Sequence, residues 1–139
     1  MTENSKNNLS KLNDTADTTA DFDPKDIEQN KTMSLFAYLG ILILIPLLGT
    51  KDSKFARFHS NQGLILLIAC IGWAVANNIL MALFAAILLP GGWRIYSLLG
   101  TILGLVYIVF TVLAIIGILN ALNGKAKELP IIGKYKILK

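Results

Sequence analysis

Residues 62–89 read QGLILLIACIGWAVANNILMALFAAILL, 28 positions without a charged side chain. A helix rises about 1.5 Å per residue and a bilayer's hydrocarbon core is about 30 Å thick, so about 20 apolar residues cross it. This run crosses once with tilt or overhang; two crossings and a turn would need about 40 residues. Outward from it, residues 95–122 (IYSLLGTILGLVYIVFTVLAIIGILNAL) form another uncharged run of 28, and residues 33–49 (MSLFAYLGILILIPLLG) a marginal one of 17. The sequence is 54% hydrophobic and 16% charged, with mean hydropathy +0.58, outside the range of ordinary soluble domains. These patterns predict an all-α integral membrane protein with about three transmembrane helices, or a four-helix bundle if an extra N-terminal or re-entrant helix forms.

The punctuation between the runs sets the expected organisation. Residues 1–22 (MTENSKNNLSKLNDTADTTADF) carry too few large apolar groups to offset ordering and read as a disordered polar and acidic tail. Residues 23–139 read as the helical membrane domain. Asp23 can cap a helix whose first turn takes Pro24, with Asp26 and Glu28 at its positive end, and that helix is expected to run on into the first span. Pro46 should kink or end it near IPLLG, because proline offers no amide hydrogen to the carbonyl of Leu42. PGGWR, residues 90–94, reads as a tight turn, with Trp93 and Arg94 suited to the head-group zone. The second and third spans then form an antiparallel hairpin, followed by a basic C-terminal tail, 123–139.

Charge gives an orientation. Residues 1–31 hold four Lys against seven acids, whereas the remainder of the +4 chain is +7. Lys51, Lys54 and Arg57 in the loop, together with the C-terminal lysines, outnumber the cations near the other side. Positive-inside therefore places the loop and C-terminus in the cytoplasm and the acidic tail outside, with anionic lipid head groups as partners of the basic ends. A first helix that does not cross would bring the tail inside. This pattern fits membrane anchoring and gives no nucleic-acid footprint. The lone Cys70 lies in an apolar run and excludes an internal disulfide. No secretory signal opens the chain.

Three groups of residues are candidates for function or packing. In KDSKFARFHSNQG, residues 51–63, Arg57 and the aromatic rings suit a membrane interface, and Asn61 and Gln62 can satisfy free backbone groups where the second helix starts. His59 is read as part of this anchor, with proton sensing or ligand binding as the alternative. Asn77 and Asn78 lie mid-span, where an amide either bonds a neighbouring helix or lines a polar path; about 100° apart, they do not share one cavity. Gly100, Gly104, Tyr107, Thr111 and Ala114 form a small-residue stripe, with Gly100 and Gly104 a GxxxG that allows close helix packing within or between chains. No catalytic set, metal-ligand cluster or phosphate-binding glycine loop is found, so neither an enzyme, a metal nor a cofactor is expected.

KDSKFARFHSNQGLILLI, flanked by DIEQNKTMSLFAYLGILILIPLL (26–48) and GILNALNGKAKELPIIGKYKILK (117–139), resembles the signature of a bacterial family of small membrane proteins related to the chloroplast inner-envelope import component Tic20. The resemblance spans about residues 26–139. It implies an all-helical membrane domain whose second main helix opens with Arg57, Phe58, His59, Asn61, Gln62 and Gly63. The zinc ribbon that some members carry has no counterpart here. Two functions follow as expectations: a non-enzymatic module that assembles with itself or another membrane protein, or a channel or translocation component like the plastid relatives.

Overall fold

A computed structural model describes residues 3–88 and 91–138. Met1, Thr2, Leu89, Pro90 and Lys139 lie outside the described residues, and with them the outer ends of the expected tail, second span and basic C-terminal segment, and the proline of the turn. Among the described residues six α-helices follow in order: α1 (Glu3–Leu12), α2 (Pro24–Ser34), α3 (Leu44–Gly49), α4 (Lys54–Leu88), α5 (Trp93–Gly104) and α6 (Val106–Leu122). Short 3-10 turns, Thr19–Asp21, Leu35–Tyr38 and Gly40–Ile43, lie between them. The all-α membrane class holds. The chain divides into two units, Met1–Leu67 with Leu113–Lys139, and Ile68–Val112.

Among the described residues, two helical runs are long and apolar enough to cross a membrane: Lys54–Leu88, and Trp93–Leu122 comprising α5 and α6. The first expected span, 33–49, is not one continuous helix: it is divided among the end of α2, two 3-10 turns and α3. Asp23 caps α2 as expected, accepting from the Lys25 N–H at 2.9 Å with Pro24 at the first helical position. The helix stops at Ser34, and 3-10 turns take over up to Gly40, whose φ of +61° no continuing α-helix allows. Pro46 falls early in the short α3, where a missing amide hydrogen is tolerated. Tertiary contacts described below hold Ala37 and Tyr38 and so outweigh the helical hydropathy pattern.

The first unit contains the core. Phe55, Ala56, Ile65, Leu66, Leu113, Ile116, Ala121, Ala126 and Leu129 are buried there with Ala37, Tyr38 and Ile43. The N-terminal segment expected to be disordered is instead tied down. Thr18 N–H donates to the Ala126 carbonyl at 3.0 Å, Glu128 N–H to the Ala16 carbonyl at 3.1 Å, and Thr15 Oγ1 to the Glu128 carbonyl at 2.6 Å. Asn13 and Asn120 exchange reciprocal carboxamide bonds of 2.7 and 3.0 Å. Backbone and amide pairing thus does what the missing apolar side chains could not. These bonds hold residues 13–18 against residues 120–128, beside the start of the C-terminal segment.

In the second unit no described residue of 68–112 is buried. Ile68, Ile71, Val75, Ile79, Leu83 and Ile87 repeat at helical spacing along α4 and are all at least half exposed. An apolar face of this size is stable where lipid, not water, covers it.

Candidate functional site

The first turns of α4 are built to start where they do. Ser53 Oγ accepts from the Ala56 N–H at 3.0 Å, and Asp26 Oδ2, from α2, accepts from the Phe55 N–H at 3.0 Å. Two orphan donors at the helix N-terminus are thereby satisfied. Partial burial pushes the Asp26 carboxyl up, but hydrogen bonds from Ser53, the Phe55 and Lys54 amides and Asn30 outweigh it and hold the group below the usual carboxylate value.

The next seven residues, 57–63, fasten four other segments to α4. Phe58 and Phe55 meet Phe22 edge-on at centroid distances of 5.7 and 6.0 Å. His59 is fully buried; its Nδ1 is 2.7 Å from the Tyr38 hydroxyl, and its ring lies 4.6 Å from that of Phe55. The Lys125 backbone is its other polar neighbour. No carboxylate bonds this imidazole among the described residues, so a charge there would be uncompensated. Tyr38 in turn lies flat against Gly117 of α6, where a Cβ would fall 2.3 Å from its ring.

Asn61 and Gln62 hold the C-terminal segment by its backbone. Asn61 Nδ2 donates to the Tyr135 carbonyl at 2.9 Å, and its Oδ1 accepts from the Ile137 and Leu138 amides at 2.6 and 2.9 Å. Gln62 Nε2 donates to the Gly133 carbonyl at 2.8 Å and its Oε1 accepts from the Leu129 N–H at 3.1 Å. Both side chains are buried and use donor and acceptor ends alike. The turn so gripped contains Ile131 at φ +70°, and the Ile132 N–H closes onto the Pro130 carbonyl at 2.8 Å. Gly63 completes the set: a Cβ there would lie 1.9 Å from the Ala37 carbonyl oxygen. Its bare backbone lets α4 and the 3-10 turn touch.

The other candidates are scattered. Asn78 is exposed and returns its amide to the Ala74 carbonyl of its own helix at 2.7 Å. Asn77 is half-buried, and its Oδ1 has no hydrogen-bond partner among the described residues. Neither amide bonds a neighbouring helix among the described residues. Gly100 packs against Met81, where a Cβ would be 3.0 Å from Cε, whereas nothing lies within 4 Å of a Cβ at Gly104. The GxxxG pair therefore has no common neighbour. Sequence reasoning missed Asp26 as a cap for α4, Tyr38 as the partner of His59, and the Pro130–Gly133 turn. Gly117 and Gly133, neither of which a helix or basic tail calls for, were the available signals.

Residues 29–136 match the magnetosome magnetite crystal formation protein family. Magnetosome protein MamF of Paramagnetospirillum magneticum is 32% identical over 108 residues, covering 76% of this chain and 81% of that protein. MmsF of the same organism is 35% identical over 83 residues, 56% of this chain and 70% of that protein. MamF of Magnetospirillum gryphiswaldense is 30% identical over 99 residues, 69% of this chain and 72% of that protein. No solved structure matches. The family match covers the blocks that suggested an import-component relative, and it overturns that assignment. The blocks that carried it include the clamp of 57–63 and most of the segments it holds, Ala37, Tyr38 and residues 125–138. The chain belongs to the magnetosome magnetite crystal formation protein family.

Proposed function

We propose that the protein is a non-enzymatic, multi-pass membrane module that takes part in magnetite crystal formation at the magnetosome membrane. The observation that carries this reading is the family match over 29–136. The polar residues of the signature support the non-enzymatic part: His59, Asn61 and Gln62 are committed to holding Tyr38 and the C-terminal backbone. In this reading α4 and the α5–α6 run cross as a hairpin. The exposed apolar side chains Ile41 and Leu48 rest the 3-10 and α3 segment in the interface without crossing. With the tail and C-terminal segment on one side, Arg94 is the one Lys or Arg in the opposite turn, so positive-inside places the first unit in the cytoplasm.

The test is deletion in the native host, with crystal length and shape measured by electron microscopy and a fluorescent fusion followed in the complemented strain. Altered crystals, restored by the fusion on the magnetosome chain, support the reading. Unchanged crystals, or a fusion spread evenly through the cell membrane, would overturn it.

A further inference from the structure

The clamp leaves a basic cleft on the first unit that neither its folding role nor crystal formation explains. One lobe, about 280 Å³, lies between the first turns of α4 and the C-terminal segment and is bordered by the cations Lys54, Arg57 and Lys136. A second lobe, about 260 Å³, adds Lys51, and Arg57 and Leu138 line both lobes. Among the described residues no acidic side chain lines either lobe. Between the cations the walls are apolar, formed by Leu47, Phe58 and Leu138. Four cations drawn from three chain segments, α4, the loop before it and the C-terminal tail, thus converge on a pocket floored by hydrocarbon.

Two features define a fitting ligand. The guanidinium and three ammonium groups call for a compact, multiply accepting anion, for which phosphate is the matching chemistry. The apolar walls call for a ligand whose anion is joined to hydrocarbon. Position supplies a third argument. Arg57 is the last cation before residues 58–93, which hold no Asp, Glu, Lys or Arg, so its guanidinium stands where α4 leaves the charged region for the apolar one. We infer that this two-lobed cleft binds a phosphate group, carried by an anionic phospholipid whose glycerol end lies against Leu47, Phe58 and Leu138. Asn61 and Gln62 build the cleft by holding Lys136 and Leu138 over α4. The inference rests on the membrane reading of α4 and is independent of the role in crystal formation.

The test is native mass spectrometry of the full chain in neutral detergent, titrated separately with phosphatidylglycerol and phosphatidylcholine, with inorganic phosphate as competitor. Retention of phosphatidylglycerol at least roughly tenfold above phosphatidylcholine is expected. It should fall to the phosphatidylcholine level in the triple variant Lys54→Gln, Arg57→Gln, Lys136→Gln, and stay unchanged in Lys125→Gln, Lys134→Gln, which removes charge outside the cleft. Millimolar phosphate that displaces the lipid would assign the site to free phosphate; phosphate that does not would assign it to the lipid. Equal retention of the two lipids by the wild-type chain overturns the inference, and so does an equal loss in the Lys125, Lys134 variant. The wild-type comparison holds even if the triple variant fails to fold.

Discussion

The side-chain oxygen of Asn61 accepts the backbone N–H of Leu138 at 2.9 Å, across 77 positions of sequence. With Gln62 beside it, one turn of α4 fixes the course of the last ten residues of the described chain.

Gln62→Ala removes a bond to the Gly133 carbonyl and one from the Leu129 N–H, both buried. Leaving two such groups unpaired costs about 2–4 kcal/mol. Denaturant unfolding in detergent should show that loss, and limited proteolysis should cut the chain after residue 129 sooner. A change below about 0.5 kcal/mol would mean that the clamp is not what holds the tail.

Gly63→Ala forces a methyl to 1.9 Å from the Ala37 carbonyl oxygen, a backbone atom that cannot swing aside. We expect a loss of at least about 3 kcal/mol, at the upper end of overpacking effects. Gly72→Ala, with nothing within 4 Å, is the control and should be neutral or gain slightly in helix propensity. Equal melting temperatures for the two variants would refute the close approach.

Ile131 is 80% exposed and sits at φ +70°, where a branched side chain is strained. Ile131→Gly removes little burial and relieves that strain, so it should stabilise the first unit by about 1 kcal/mol. A loss of similar size would show that the side chain is needed where it is.

Asp26 is held below its ordinary value because donors of the α4 N-terminus outweigh its burial. A carboxylate with a depressed folded value stabilises above its unfolded pKa and loses that contribution as the pH falls through the folded one. Stability should therefore decline below about pH 4, and Asp26→Asn should flatten the curve there. Parallel curves for wild type and variant between pH 5 and pH 2, as approximate limits, would remove Asp26 from the account.

The two long spans were legible because hydropathy over 28 residues depends on composition, which tertiary contacts do not alter. The Asp23 cap of α2 was legible for a related reason, being local. Residues 33–49 misled because their break comes from non-local contacts: Ala37 touches Gly63, and Tyr38 lies on Gly117 and bonds His59. The acidic tail misled because its order is carried by backbone and amide bonds to 120–128, which leave no trace in hydrophobic pattern. Asn61 and Gln62 were seen as groups that satisfy free backbone near the second helix's start. The backbone they satisfy belongs to a segment about seventy residues downstream, which single-sequence reading cannot supply.

The pairing of residues 13–18 with 120–128 sets an order of events during synthesis. The ribosome releases Asn13 more than a hundred residues before its partner Asn120 exists, so the opening segment waits uncommitted while both long helices are made. Completion of the first unit becomes the last act of biogenesis. A chain that stalls before residue 120 leaves residues 13–18 without the partners that hold them.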